Sequence, residues 1–302
     1  MSVTSTLFAG VSGLLNQAEG MNVIGNNIAN VNTIGFKGSR ALFSDVLSTA
    51  SVNKSQMGHG VQIQKIDNLF TQSAFESTGN VTDLAIQGDS FFAMGAPTAA
   101  AGTPVTGDQA YYTRAGAFRL TPDISAAPPV DLYLANPDGY RLLDTTGTPI
   151  MVKVPAAPPA ATDFIKVKSI SPDGLVSFQR GDGTVWYYDG NIDTGTQDPT
   201  AAVRLATLRV PYPGELDKVG GTLYKANSPA TGVTVATTEF SATWNGTSPT
   251  SESLASNSLE QSNVDMANEF IKMILTQRAY SANSKTITTA DEMTQEVLNL
   301  KR

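Results

Sequence analysis

The sequence predicts an α+β fold: paired N- and C-terminal helices, coiled-coil-like, flanking an antiparallel β-rich middle domain. Leu7, Val11, Leu14, Ala18, Met21 and Ile28 recur at alternating four- and three-residue spacing, which sets them on one face of a helix. Val264, Ala267, Ile271 and Ile274, then Ala290, Met293, Val297 and Leu300, repeat that pattern near the other end. Between the two, Gly, Pro, Thr, Val and Asp dominate and Asp-Gly turns recur. An apolar stripe must be buried against something. The expected partner of each terminal helix is therefore the other helix, or the same helices in neighbouring copies.

The N-terminal helix, residues 1–32, carries Glu19 as its one charged side chain. Gly10, Gly13, Gly20 and Gly25 each cost about 1 kcal/mol of helix propensity relative to Ala. Such a helix suits packing on several sides. Its end is the asparagine-rich run from Ile24 to Thr33. Asn and Thr side chains bond nearby backbone and favour helix ends. The run reads either as a helix C-terminus with Gly35 just beyond, or as a helix end whose amides, Asn30 and Asn32 among them, bond neighbouring subunits.

Residues 33–83 read as an extended connector. Phe36, Leu42, Phe43, Val46 and Leu47 are apolar anchors in an otherwise polar stretch, Val61, Ile63 and Ile66 approach strand alternation, and the segment is expected to hold one short helix and one or two strands. Residues 84–246 read as a β-rich outer domain. Its strand candidates are Ala85 to Met94, Tyr111 to Leu120, Lys166 to Ile170, Leu175 to Gln179, Val185 to Tyr188 and Val203 to Val210. Pro137-Asp138-Gly139, Pro172-Asp173-Gly174 and Gly181-Asp182-Gly183 mark antiparallel hairpins between them. The Pro/Ala-rich stretch from Pro155 to Ala161 reads as a loop. Residues 247–302 are a connector, polar from Thr247 to Ser258, followed by the C-terminal helix.

Composition narrows the function classes. The 302 residues allow two or three modest domains. A net charge of -7 argues against nucleic acid as a partner. With no cysteine there is neither a disulfide framework nor a thiolate metal site. No run approaches the roughly 20 apolar residues of a membrane span, so no membrane insertion is expected. The start lacks the basic, solidly apolar character of a cleaved signal peptide. His59, the single histidine, lies in Gly58-His59-Gly60 without a nucleophile pattern nearby. Phosphate-binding, dinucleotide and nucleophile-elbow motifs are missing, and no enzyme activity, cofactor or metal site is expected. Arg180-Gly181-Asp182 has the form of an adhesion tripeptide, but a hairpin turn accounts for it. A secreted adhesin or carbohydrate-binding protein, the reading from a different class, would draw on Trp186, Tyr187, Tyr188 and Trp244.

Asn30-Val31-Asn32-Thr33-Ile34-Gly35-Phe36-Lys37 resembles the signature of the flagellar rod and hook family of bacterial axial proteins. The resemblance continues from Ser39 to Leu47, from Asp83 to Phe92 and from Tyr112 to Phe118. It resumes at Leu259-Glu260-Gln261-Ser262-Asn263-Val264-Asp265-Met266 and at Gln277 to Lys285. These blocks occur in the family's order. The resemblance implies a helical homopolymer, exported unfolded without a cleaved signal peptide, in the hook or basal body of the flagellum. The partners it implies are other copies of the chain, adjoining rod and hook–filament junction proteins, the flagellar export apparatus and the hook cap. The assembly interface is then expected to use both stripes (Leu7, Val11, Leu14, Ala18, Met21, Ile28; Val264, Ala267, Ile271, Ile274, Met293, Val297, Leu300) together with Asn30, Asn32, Gly35 and Phe36. Within the family, the short connector between Leu47 and Gly58 and the hook-like block from Phe43 to Leu47 favour a hook subunit, a universal joint passing torque from rod to filament, and the hook is the expected assignment. The small middle domain favours the alternative, a distal rod subunit acting as a drive shaft.

Overall fold

A computed structural model describes residues 3–46, 49–50, 56–99, 104–105, 110–122, 131–153, 164–190, 195–210, 212–226 and 252–300. The chain divides into two units. One comprises Met1–Asn32, Lys37–Leu69 and Val264–Arg302; the other comprises Thr33–Phe36 and Phe70–Asn263. The segment expected to act as one connector, residues 33–83, is thus shared between them.

The first unit holds helix α1 (Val3–Ala29), helix α2 (Met266–Leu300) and an antiparallel hairpin of Ser39–Asp45 with Val61–Asn68. At the start of α2, Asp265 caps: its Oδ1 accepts from the N–H of Ala267 at 2.9 Å and of Asn268 at 3.3 Å. Val264, assigned to the stripe, therefore precedes the helix. At the end of α1, Asn30 Nδ2 bonds back to the Asn26 carbonyl at 2.9 Å, competing with a further helical turn. The short helix expected within residues 33–83 is corrected: the described residues of that segment form strands, Ser39–Asp45 among them, and no helix. Phe43, Leu42 and Ala41 alternate across a pleat, bulged between Leu42 and Phe43 where the register with the second strand shifts.

The second unit is the β-rich one. Its largest sheet is antiparallel, running in space Met151–Lys153, Asp131–Ala135, Arg141–Leu142, Phe91–Gly95, Ala110–Thr113, Leu223–Ala226, Leu216–Gly220. Arg119–Pro122 pairs onto Asp131–Ala135 and Thr207–Leu208 onto Phe91–Gly95. A three-stranded sheet joins Phe164–Ile170, Val176–Arg180 and Val185–Tyr187. The three Asp-Gly turns fall where the sequence puts them, each closing a hairpin. The strand Phe91–Gly95 is buried along its whole length. Its two-residue period sends Phe92 and Met94 into one core cluster and Phe91 and Ala93 into another.

Three strand expectations and one connector need correction. Ala85 to Met94 is two strands, Leu84–Gln87 and Phe91–Gly95, because Gly88 turns the chain at φ +144°. Tyr111 to Leu120 is also two, Ala110–Thr113 and Arg119–Pro122. Between these, Gly116 passes so close to the Leu84 carbonyl that a side chain would not fit. In Val203 to Val210 only Thr207–Leu208 lies on a ladder; Arg204 and Leu205 make isolated bridges. The polar connector before α2 is not loose over its described part: Ser253–Ser256 pairs Leu84–Gln87, and Ser258–Glu260 pairs Phe75–Ser77. The Pro155 to Ala161 loop lies outside the described residues.

Candidate assembly interface

Helices α1 and α2 pack antiparallel. Gly10 lies against Ile287, Gly13 against Asn283, and Asn27 reaches Glu269, so positions rise along one helix as they fall along the other. The buried positions of α1 are Gly10, Gly13, Gly20, Ile24 and Asn27. This seam has the same heptad-like spacing as the apolar stripe but lies one residue earlier, about 100° around the axis. A methyl group on Gly10 would stand 2.8 Å from Ile287 Cγ1, and one on Gly13 2.5 Å from Asn283 Nδ2. Gly10 and Gly13, which weaken the helix as a local structure, are what let the second helix approach.

The larger apolar side chains sit beside this seam. Leu7, Leu14, Ala18, Met21 and Ile28 are half-buried and Val11 is exposed. On α2 the inward positions are Glu269, Met273, Thr276, Ala279, Asn283, Ile287, Ala290 and Thr294. Ala267, Ile271, Ile274, Met293, Val297 and Leu300 are exposed, Ile271 and Ile274 by 56% each; Val264 is half-buried. Phe8 and Leu15 on α1 and Phe270 and Leu275 on α2 are exposed as well. The two helices of one chain therefore do not cover one another's stripes. These apolar side chains make the paired helices the candidate assembly surface.

Two asparagines on one side of α1, about three turns apart, fix the hairpin. Asn16 Nδ2 donates to the Val61 carbonyl at 2.7 Å, and its Oδ1 accepts from the Ile63 N–H at 2.9 Å. Asn27 does the same for the other strand: Nδ2 donates to the Ser39 carbonyl at 2.7 Å and Oδ1 accepts the Ser39 N–H at 2.9 Å. Each amide presents one donor and one acceptor, as a neighbouring strand would. Asn30 is bonded within its own helix end, and Asn32 is exposed. Asn16, Asn27 and the glycine seam escape a reading based on apolar periodicity. The signal for the seam and Asn27 is the three- and seven-residue spacing of Gly10, Gly13 and Gly20, continued by Ile24; nothing in the spacing marks Asn16.

Gly35 and Phe36 are buried within the β unit. Gly35 adopts φ +66° and packs on the Arg114–Ala115 backbone, an approach only glycine permits. Its N–H donates to the Glu260 carbonyl at 2.8 Å. Lys218 Nζ lies 5.0 Å from the centre of the Phe36 ring. Beneath them Arg114 and Glu260, both buried, form an ion pair at 3.6 Å, and the Arg114 guanidinium stacks on Phe91. Burial pulls the Arg114 pKa below its ordinary value, and the Glu260 charge opposes that shift.

The residues tied to other chemistry are placed as follows. His59 is half-buried in the turn before Val61. Among the described residues no group of three or more His, Cys, Asp or Glu is placed to hold a metal. Arg180 lies on the Trp186 ring at 3.8 Å, and Asp182 Oδ1 accepts from the Thr184 N–H and hydroxyl. Both charged side chains of the Arg-Gly-Asp turn are thus engaged by their own hairpin. Tyr188 is buried, and Trp186 and Tyr187 are half-buried; Trp244 lies outside the described residues. Trp186, Tyr187 and Tyr188 do not form an exposed platform.

Residues 7–37 match the flagella basal body rod protein family, and residues 255–300 match the family described as flagellar basal body rod FlgEFG protein C-terminal. The flagellar basal-body rod protein FlgG of Bacillus subtilis is 37% identical, over 98% of this chain and 99% of its own. The chain belongs to the flagellar rod and hook family. FlgG of Borreliella burgdorferi is 30% identical across 98% of both chains. The flagellar hook protein FlgE of that organism is 39% identical, but over 45% of this chain and 30% of its own. Both family matches fall on elements placed above: residues 7–37 cover most of α1 and the Gly35 turn, and residues 255–300 cover the Glu260 strand and α2. As a member of the rod and hook family, the chain is a structural subunit of a flagellar axial tube.

Proposed function

We propose that this chain is a rod subunit of the distal-rod type, a segment of the drive shaft, rather than a hook subunit. The observation that carries this is the span of the likeness. Rod relatives align with the chain end to end, whereas the hook relative matches it over less than a third of the hook's own length. A hook of that design holds a large part for which this chain has no counterpart. The short connector, which favours a hook by itself, weighs less than agreement along the whole chain.

In this reading the exposed stripes of α1 and α2 meet helices of neighbouring copies, and the β unit forms the outer body of the tube. Leu14, Ile271, Ile274 and Val297 supply apolar area, and each large side chain buried in the polymer contributes about 1.5–3 kcal/mol. The chain would stack on adjoining rod or hook proteins at the two ends of its segment and reach its place through the flagellar export apparatus.

Polymers grown from purified protein and imaged by electron microscopy test the assignment. Straight tubes over a range of pH and salt are the expected result. Curved or supercoiled tubes would return the chain to the hook.

A further inference from the structure

The β unit receives the chain at Thr33–Phe36 and releases it at Glu260–Asn263, and these two segments lie side by side. The Gly35 N–H donates to the Glu260 carbonyl at 2.8 Å, and the Asn263 N–H donates to the Phe36 carbonyl at 3.4 Å. Residue numbers rise together along both, so the segments run parallel. On its other side the exit segment is held by residues 71–77. The Gln261 N–H donates to the Ala74 carbonyl at 3.0 Å, and Ser258–Glu260 pairs antiparallel with Phe75–Ser77. The Ser73 hydroxyl donates to the Ser262 carbonyl at 2.8 Å, and Asn263 Nδ2 to Thr71 Oγ1 at 2.9 Å. A trans peptide points its C=O and N–H in opposite directions. The one peptide unit between Glu260 and Gln261 therefore ties Gly35 on one flank and Ala74 on the other. The Glu260 side chain anchors the same point: Oε1 accepts from the Ser73 N–H at 2.9 Å, and Oε2 faces Arg114.

We propose that this three-segment clasp is a mechanical clamp, which lets the chain carry tension between its two terminal helices without unravelling the β unit. Force drawn along the chain enters at the N-terminal end of Thr33–Phe36 and leaves at the C-terminal end of Glu260–Asn263. Parallel segments pulled from opposite ends slide along one another, so their bonds are strained together and must break together. Hairpins pulled open from one end lose their bonds singly. The hairpins of the β unit lie behind the clasp and feel no tension until it yields. The clamp is a property of the β unit and holds for a rod or a hook subunit alike.

The absence of cysteine from the chain allows handles to be attached at will. In the full chain carrying Asn32→Cys and Ala267→Cys, single-molecule pulling should give one dominant rupture. The step should be roughly 65 nm, from about 190 residues of the β unit behind the clasp at about 3.4 Å each. Forced unfolding follows the unfolding barrier, so Gly35→Ala and Glu260→Gln should each lower the rupture force by about a third or more. Asn263→Ala, a milder change at a half-buried side chain, should lower it less while leaving the thermal melting of the β unit unchanged, which separates weakened resistance from failure to fold. Stepwise release of short lengths before the main rupture in the native chain would overturn the proposal. So would unchanged rupture forces in all three variants.

Discussion

Asn27 donates a hydrogen bond to Glu269 at 3.3 Å, although 242 positions separate them in the chain. Both side chains are buried, and Asn27 also holds both backbone groups of Ser39. Glu269 accepts from Lys272 Nζ at 2.6 Å one turn further along α2. A single amide thus joins α1, the hairpin and α2.

Replacing Asn27 with Asp removes two donated bonds and sets a carboxylate beside that of Glu269. The first unit should lose about 2–4 kcal/mol, the cost of a buried acceptor left unsatisfied plus a like charge. Helix melting followed by circular dichroism reads this loss. Glu269→Gln in the same chain removes the repulsion and supplies a donor, so it should recover a good part of the stability. A double variant no more stable than Asn27→Asp would show that the two side chains do not interact.

Gly10 and Gly25 should respond in opposite ways. Nothing lies within 4 Å of the position a Gly25 methyl would occupy. Gly25→Ala should therefore gain about 0.5–1 kcal/mol from helix propensity alone. At Gly10 a larger side chain meets Ile287, and Gly10→Leu should prise the helices apart at a cost of about 1–3 kcal/mol. Thermal melts of the two variants should shift to either side of the native curve.

Ile271 is more than half exposed in the single chain. Ile271→Asp should leave the melting of the monomer within about 0.5 kcal/mol of native, as surface substitutions do. Assembly should fail, because every subunit of the polymer would bury an unpaired carboxylate. Sedimentation at polymerising concentrations distinguishes monomer from tube, and normal tubes from this variant would remove α2 from the interface.

Burial raises the pKa of Tyr188, with the Asp144 carboxylate adding to the shift, and burial raises that of Tyr224 against the opposing charge of Arg114. For a folded pKa above the unfolded value near 10, the linked stability is present below that value and is lost as pH climbs toward the folded pKa. The β unit should hold its stability up to about pH 10 and weaken above it. In an alkaline titration followed by tyrosinate absorbance, Tyr188 and Tyr224 at least, of the nine tyrosines, should ionise together with unfolding rather than before it. Smooth ionisation of all nine in the folded state would contradict these placements.

The sequence by itself determined the α+β class, the two terminal helices and the three hairpins closed by Asp-Gly turns, because each depends on neighbours within a few residues. A helix repeats every 3.6 residues and a turn needs a residue that tolerates its dihedrals; both are local facts. It also carried the family, through ordered blocks at both ends of the chain.

Which face of each helix turns toward the other was decided by tertiary structure. Large apolar side chains make the visible stripe, but closest approach goes to the smallest residues, so the two helices meet at Gly10 and Gly13, Gly20 faces Phe43 of the hairpin, and Ile271 and Ile274 stay outside. The breaks within Ala85 to Met94 and Tyr111 to Leu120 have the same origin. Strand propensity runs through both, yet Gly88 and Gly116 are placed by segments remote in the chain, Glu252 and Leu84. Likewise Glu260 reads as one more polar residue in a connector. Only the meeting of residues 33–36, 71–77, 114 and 260 makes it a buried anchor, since a charge can be buried there only where distant groups supply its partners.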